Sequence, residues 1–357
     1  VSPHIPVRAD LVALGAYHSP QVDADVRLNT NESPYPPPDG WREDLAAAVA
    51  GIDFHRYPDR AATALRQGLA ELHGVAKEEI FCANGSNEVL LCLLLAFAGP
   101  GRRAALFQPT YTLHSHLARL VGTEVVEGTR SSDFRIDPVE ADRLLLSASP
   151  EITFVCSPNN PTGGAEPLEL IEHLLARAPG LVVVDEAYGQ FSPSSALDLR
   201  AGPADTSGMA VVRTFSKTWA MAACRLGYLV ADRRVVEGCE AASLPYHLSS
   251  LTQAAGLLAL RYGAEMASRV AAISEERGRL SAAFSQMPVE SWPSDANFIL
   301  FRPERRTATE VWEGLLERGV LVRDCSRWPG LDGCLRVTVG TPADNGRFLD
   351  ALGECAR

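Results

Sequence analysis

Arg213, Thr214, Phe215, Ser216 and Lys217 are consecutive, and a further cation follows at Arg225. One amine set among hydroxyls and guanidinium groups suits a particular chemistry. A lysine can form a Schiff base with a cofactor aldehyde, and a phosphorylated cofactor then needs an anchor, which hydroxyls and a guanidinium supply. The cofactor this predicts is pyridoxal 5′-phosphate, attached at Lys217. A Ser-Lys pair alone says little, because most lysines are solvated surface charges. The weight comes from the segments around it.

Upstream, the apolar run from Leu181 reads as a buried parallel strand that ends at Asp185 and continues through Glu186 and Ala187 to Tyr188. Ligands of open α/β sheets sit beyond the carboxyl ends of the strands, so Asp185 is placed to face one. A carboxylate that keeps a pyridine nitrogen protonated makes the ring a better electron sink. An isolated strand-end Asp would equally cap the next turn or helix. Ser157 to Gly164 follows the apolar strand Ile152 to Cys156, and its prolines and glycines mark a rigid turn. From it Asn160, helped by Tyr188, would reach the phenolic oxygen of the ring, although the segment is also simply a good turn. Gly85 to Glu88 lies between a short strand, Ile80 to Cys82, and an apolar helix, Val89 to Phe97. Free backbone N–H groups there form an anion site, and Ser86 is expected as the N-cap. Tyr111, after the strand Ala104 to Phe107, would stack on the pyridine face or serve as a core or turn tyrosine.

These motifs, in this order, resemble the fold-type I pyridoxal-phosphate aminotransferases and, within them, the histidinol-phosphate aminotransferase family, over nearly the whole chain. The matching segments are Leu28 to Pro34, Arg56 to Asp59, Gly85 to Glu88, Ser157 to Gly163, Asp185 to Tyr188, Thr214 to Lys217 and Arg225 to Tyr228. Leu244 to Ser250 resembles the actinobacterial branch. The resemblance implies an α/β fold with a large domain built on a mostly parallel sheet flanked by helices and a smaller α+β C-terminal domain. It further implies that Lys217 holds the cofactor and shuttles a proton, that Asp185 pairs with the ring nitrogen, and that Asn160 and Tyr188 meet the ring oxygen. Tyr111 would cover the ring. Ser86, Asn87, Thr214, Ser216 and Arg225 would seat the phosphate, and Tyr57 would reach the phosphate of the neighbouring subunit in a homodimer with shared active sites. Arg336 matches an arginine that grips a substrate carboxylate. Tyr17, Asn31 and Arg323 are further substrate-side candidates.

Departures from the family pattern occur at Ser33, Trp219 and Ala223, and in the stretch Cys325 to Gly330, which includes Arg327 and Trp328. They bear on the substrate side chain. The implied reaction joins histidinol phosphate and 2-oxoglutarate with imidazole acetol phosphate and glutamate, in ping-pong fashion. The alternatives are an aromatic or specialised-metabolite aminotransferase, a decarboxylase of a phosphorylated amino acid, and, more remotely, an effector-binding module of a transcription regulator, which would carry a basic DNA-reading domain ahead of it. Here only a proline-rich arm precedes the motifs.

At 357 residues, 46% hydrophobic and 22% charged, the chain can bury a substantial core and divide into two domains. A net charge of −11 argues against nucleic acid as principal partner while leaving local arginines, with Arg323, Arg327 and Arg336 the C-terminal candidates, free to bind an anionic metabolite. Eight cysteines lack metal or disulfide spacing and read as buried, reduced thiols. His18 and His247 have no acid partner at recognisable spacing and read as structural. No h-region or membrane-length apolar run is present, so a cytoplasmic protein without membrane contact or metal is expected.

The expected organisation is a proline-broken arm and the start of the small domain over 1–43, a strand-helix core over 44–247 and a small domain over 248–357. The last would contain one long helix from Leu251 to about Met287, a helix Ala308 to Arg318, and short strands at Asn297 to Phe301, Val320 to Val322 and Leu335 to Val339.

Overall fold

The computed structural model describes residues 7–14 and 22–357. Tyr17 and His18 lie outside the described residues. Twelve strands are described. β1 (Val26–Leu28) is set apart from the next seven, which are β2 (Ile80–Ala83), β3 (Arg103–Gln108), β4 (Glu124–Thr129), β5 (Ile152–Cys156), β6 (Leu181–Asp185), β7 (Met209–Thr214) and β8 (Gly227–Ala231). These seven form one sheet in the order β2-β8-β7-β6-β5-β3-β4. β5, β6, β7 and β8 are buried at every residue, as strands covered on both faces must be, and their Val- and Leu-rich sequences follow from that. Their apolar side chains divide between two clusters, one containing Phe154, Val183 and Val212 and the other Val155, Val184 and Val211. Alternation along each strand sends successive residues to opposite faces.

All neighbours in this sheet are parallel except at β8, which is antiparallel to both β2 and β7. The reversal matters for function. It brings the residue preceding β8 to the same edge as the residues that follow β2, β3, β5, β6 and β7.

The remaining strands are β9 (Val289–Ser291), β10 (Phe298–Pro303), β11 (Val320–Asp324) and β12 (Leu335–Thr338). With β1 they form a second sheet, β1-β11-β12-β10-β9, in which only the β1–β11 pair is parallel. Phe284, Phe298, Phe301 and Phe348 fill its core. The proline-rich start is therefore not wholly irregular. It contains a helix, Ala9–Leu14, and the strand β1, and the next helix begins at Asp39 rather than Asp44, directly after Pro38.

The expected single helix from Leu251 is two helices, Ser250–Ala259 and Gly263–Phe284, separated by a 3-10 turn at Leu260–Tyr262. Each half buries a stripe against a different core. Ala255 and Ala259 pack with Trp41, Leu65 and Phe215, whereas Ile273, Leu280 and Phe284 pack on the second sheet. The bend lets one stretch of chain serve both.

Gly227, at the start of β8, lies against the turn after β2. A Cβ there would fall 2.2 Å from Ser86 N and 2.4 Å from the carbonyl carbon of Gly85, both backbone atoms that cannot swing aside. Gly227→Ala is predicted to destabilise the fold by about 3 kcal/mol or more, read as a fall in the urea midpoint. Gly346→Ala, in a helix where the added methyl meets nothing within 4 Å, should hold or raise it.

Candidate active site

Segments at the carboxyl ends of β2, β3, β5, β6 and β7, with Arg225 just before β8, face β11, β12 and the segment after β1. Between them lies a cavity of about 350 Å3, lined among others by Ser86, Asn87, Tyr111, Asn160, Asp185, Tyr188, Thr214, Ser216, Lys217, Arg225, Arg323 and Arg336. Residues spread over some 250 positions thus meet because the sheet topology ends their strands on one side.

Lys217 lies at the centre of this arrangement. Its Nζ donates to the carbonyl oxygen of Thr30 at 2.9 Å and stands 5.9 Å from the centre of the Tyr188 ring. Burial, seconded by the positive charge of Arg336, lowers its pKa to about 8. The acceptor it rests on is a neutral carbonyl, so the amine gives up its proton far more readily than a solvated lysine. The chain has one other lysine, Lys77, exposed on a surface turn.

The backbone that receives Lys217 is a strap, Asn29 to Asn31, running between the two sheets. Arg336 Nη2 donates to Asn29 O at 2.8 Å, and Asn297 Nδ2 to Asn31 O at 3.1 Å. Thr338 Oγ1 accepts from Asn31 N and donates to Asn31 Oδ1, each at 3.0 Å. Asn31 adopts a φ of 55°, a left-handed conformation that Asn tolerates better than most residues. Its remaining group, Nδ2, donates to Tyr188 Oη at 2.9 Å. Burial raises the Tyr188 phenol to about 12, which keeps it protonated.

Asp185, at the end of β6, is 2% exposed. One carboxylate oxygen accepts from Ala187 N at 3.0 Å and the other lies 2.9 Å from His114 Nε2. His114 is fully buried, stacked 4.8 Å from Phe154, with Tyr111 edge-on at 5.4 Å. Its Nδ1 has no protein partner among the described residues, which fits an Nε2–H tautomer donating to Asp185. The sequence reading missed His114. The signal was its spacing, three residues after Tyr111, which puts both on the same side of the first turn of the helix Thr112–Leu120.

Asn159 ties two turns together. Its Nδ2 donates to Pro109 O and to Thr162 Oγ1, and its Oδ1 accepts from Thr110 Oγ1. Tyr111 and Asn160, the residues next to these turns, are thereby held at fixed separation. Arg336 Nη1 donates to Asn160 Oδ1, which leaves the amide NH2 as that side chain's donating end.

Three pieces could seat a phosphate. The helix Ser86–Phe97 starts with Gly85 as its N-cap, at φ 86°, and no side chain caps it. Ser86 is therefore the first helical residue and not the cap, so the end of the helix presents backbone N–H groups rather than a filled cap. The Arg225 guanidinium lies over this turn, and a Cβ at Gly85 would sit 2.6 Å from Arg225 Nη2. Thr214 and Ser216 complete the seat, with Thr214 Oγ1 donating to Ser216 Oγ at 3.0 Å and Arg225 Nη1 to the same oxygen at 3.3 Å. Hydroxyls, uncapped N–H groups and a guanidinium are the donor set that a phosphate monoester requires. With the amine of Lys217 in the same cavity, the residues present fit pyridoxal 5′-phosphate.

Other expected residues lie elsewhere. Tyr57 is 80% exposed and stacks on Tyr246 at 4.6 Å, outside the cavity lining. Arg327 is exposed and does not line it either. Trp219 is buried, stacked on Phe215 in the core beneath Trp41, so its bulk is absorbed by packing rather than turned toward a substrate. Trp328 does line the cavity, as does Ala222 next to Ala223. His247 lies between the carbonyl oxygens of Cys82 and Leu244, a packing position.

The family model for aminotransferase class I and II matches residues 24–352. A histidinol-phosphate aminotransferase of Thermobifida fusca (strain YX) is 45% identical, over 98% of this chain and 95% of the relative. One of Corynebacterium glutamicum (strain R) is 42% identical, over 98% of this chain and 96% of the relative. A crystal structure of histidinol-phosphate aminotransferase from Sinorhizobium meliloti in complex with pyridoxal-5′-phosphate superposes with a TM-score of 0.85 at 21% identity, covering 94% of this chain and 92% of that one, and so shares the fold. By match and by geometry, the chain belongs to the class I and II aminotransferases, the pyridoxal-phosphate enzymes of fold type I.

Proposed function

We infer that the protein transfers the amino group of histidinol phosphate to 2-oxoglutarate, giving imidazole acetol phosphate and glutamate, a step of histidine biosynthesis. The observation that carries this reading is identity of 42–45% with curated histidinol-phosphate aminotransferases across nearly the full length. Bound pyridoxal phosphate supplies the carbonyl that accepts the amino group and the electron-withdrawing ring that acidifies the neighbouring C–H.

The chain's own residues do the rest. Lys217, uncharged about a tenth of the time at pH 7 where a solvated lysine is almost never so, is the nucleophile and then the base and acid that moves a proton at its Nζ. Asp185, which accepts from Ala187 N and lies 2.9 Å from His114 Nε2, would set its carboxylate where a pyridinium N–H would sit. Asn160 and Tyr188 would donate to the ring oxygen, and Tyr111 would wall one face. Ser86, Asn87, Thr214, Ser216 and Arg225 would hold the phosphate. On the substrate side, Arg336 is 5% exposed and its Nε–H has no protein partner among the described residues, a donor suited to a carboxylate or phosphate oxygen. Arg323, opposite it in the β11–β12 register, adds a second cation. Asn31 and Tyr17 complete this side of the reading.

Tyr57 and Tyr246 form an exposed aromatic pair outside the cavity lining, which supports a homodimer in which Tyr57 reaches the partner's phosphate seat. A cytoplasmic place for the enzyme belongs to the same reading, and no helix among the described residues is long and apolar enough to cross a membrane.

Glutamate formation from histidinol phosphate and 2-oxoglutarate is the expected result with purified holoenzyme. Failure of that pair alongside turnover of an aromatic amino acid would move the protein to the aromatic or specialised-metabolite reading. Carbon dioxide release without a keto acid would favour a decarboxylase, like the L-threonine-O-3-phosphate decarboxylase of Porphyromonas gingivalis that shares 25% identity with this chain. Lys217→Ala should lower turnover by about 10³-fold or more. His114→Ala removes a hydrogen bond to a charged group, so kcat should fall by roughly tenfold to hundredfold while cofactor still binds, with His114→Asn recovering part of the loss. Because Lys217 attacks only when neutral, capture of pyridoxal phosphate by the apoprotein should quicken as pH rises, with its midpoint near 8, where a solvated lysine would give a midpoint above 10.

A further inference from the structure

Arg323 lies on β11, and its guanidinium carbon stands 5.7 Å from the centre of the Trp328 ring. Both side chains line the cavity. Trp328 belongs to the connection between β11 and β12, the stretch where the sequence departs from its family, and that connection is a closed unit. Trp328 N donates to Cys325 O, Leu331 N to Trp328 O, and Cys334 N to Leu331 O, while Cys325 N returns to Cys334 O, all within 2.9–3.1 Å. Asp324 Oδ1 accepts from Ser326 N at 2.8 Å and fixes the first turn.

The three-residue spacing of Cys325, Trp328, Leu331 and Cys334 puts these four side chains together, packed with Leu300, Phe134 and Trp292. Trp328 is thus anchored on its apolar side and half-buried, with the cavity on the other. It is a wall rather than a mobile loop side chain.

A guanidinium over an indole at this distance gains a cation–π attraction. That contact also removes rotamer freedom that a long side chain would otherwise lose only on binding. Arg323 and Arg336 face each other across β11 and β12, so an arginine ordered this way adds a second fork beside the first. Arg336 is already committed in part to Asn29 and Asn160.

We propose that Trp328 is a positioning residue that orders Arg323 for the phosphate of the donor and so sets the preference for phosphorylated over unphosphorylated amino alcohols. The proposal rests on the phosphorylated donor assigned under the proposed function. Trp328 touches no reacting atom. It acts through Arg323 on the distal anion.

The test compares kcat/KM for histidinol phosphate and histidinol in wild-type holoenzyme, Trp328→Ala, Trp328→Phe, Arg323→Ala and the double variant Arg323→Ala/Trp328→Ala. Trp328→Ala should cut the preference for the phosphorylated donor by about tenfold, mostly through KM, and Trp328→Phe should restore much of it. Once Arg323 is alanine, removing Trp328 should produce no further loss of preference. A preference that survives Trp328→Ala, or an equal loss for both donors, overturns the positioning role alone. So does a second full loss in the double variant. A wild-type enzyme with no preference for the phosphorylated donor overturns the donor assignment and the proposal together.

Discussion

Everything in this molecule that bears on chemistry depends on keeping one amine buried, reachable and easily deprotonated. Lys217 satisfies this by resting on the carbonyl of Thr30 with Arg336 nearby, rather than on a carboxylate. A carboxylate partner would favour the ammonium form and silence the nucleophile. A carbonyl in that place must itself be held. That requirement accounts for the concentration of hydrogen bonds on Asn29 to Asn31 from Arg336, Asn297, Thr338 and, through the Asn31 side chain, Tyr188. The strap follows directly on β1, whose parallel pairing with β11 fixes its direction. The smaller sheet is in this sense part of the lysine's environment.

The larger sheet solves a second problem, the delivery of chemically different groups to one ligand. A carboxylate, an amide, an aromatic ring and a group of hydroxyl, N–H and guanidinium donors come from separate strands and share only the edge at which those strands end. The antiparallel course of β8 is needed for the last piece, because Arg225 precedes its strand where the others follow theirs. Gly227 and Gly85 then allow Arg225 and the uncapped helix start to approach more closely than any side chain would permit.

Much of this was legible in the sequence because the motifs are local. Each consists of a strand end and the turn that follows, and the strands' apolar runs announce where those turns fall. Asp185, Asn160, Ser86, Thr214, Ser216, Lys217 and Arg225 all line the cavity for that reason. What was not legible depends on contacts between distant segments. His114 meets Asp185 only because the first turn of the helix after β3 sets it against Phe154 of β5 and the end of β6. The break at Leu260–Tyr262 reflects two cores competing for one helical stretch, which no periodicity in the stretch itself reveals. Trp219 and Trp328 look alike as departures from a pattern, yet one is absorbed into packing against Phe215 and the other faces the cavity. Their environments, and not their type, separate them.

The chain's having only two lysines makes the central claim open to direct chemical proof. Borohydride reduction of the protein loaded with pyridoxal phosphate, followed by proteolysis and mass spectrometry of the peptides, converts a Schiff base into a permanent mark. A single pyridoxyl adduct is expected, on the peptide containing Lys217, with Lys77 unmodified. An adduct confined to Lys77, or a fully active enzyme carrying none, would contradict it.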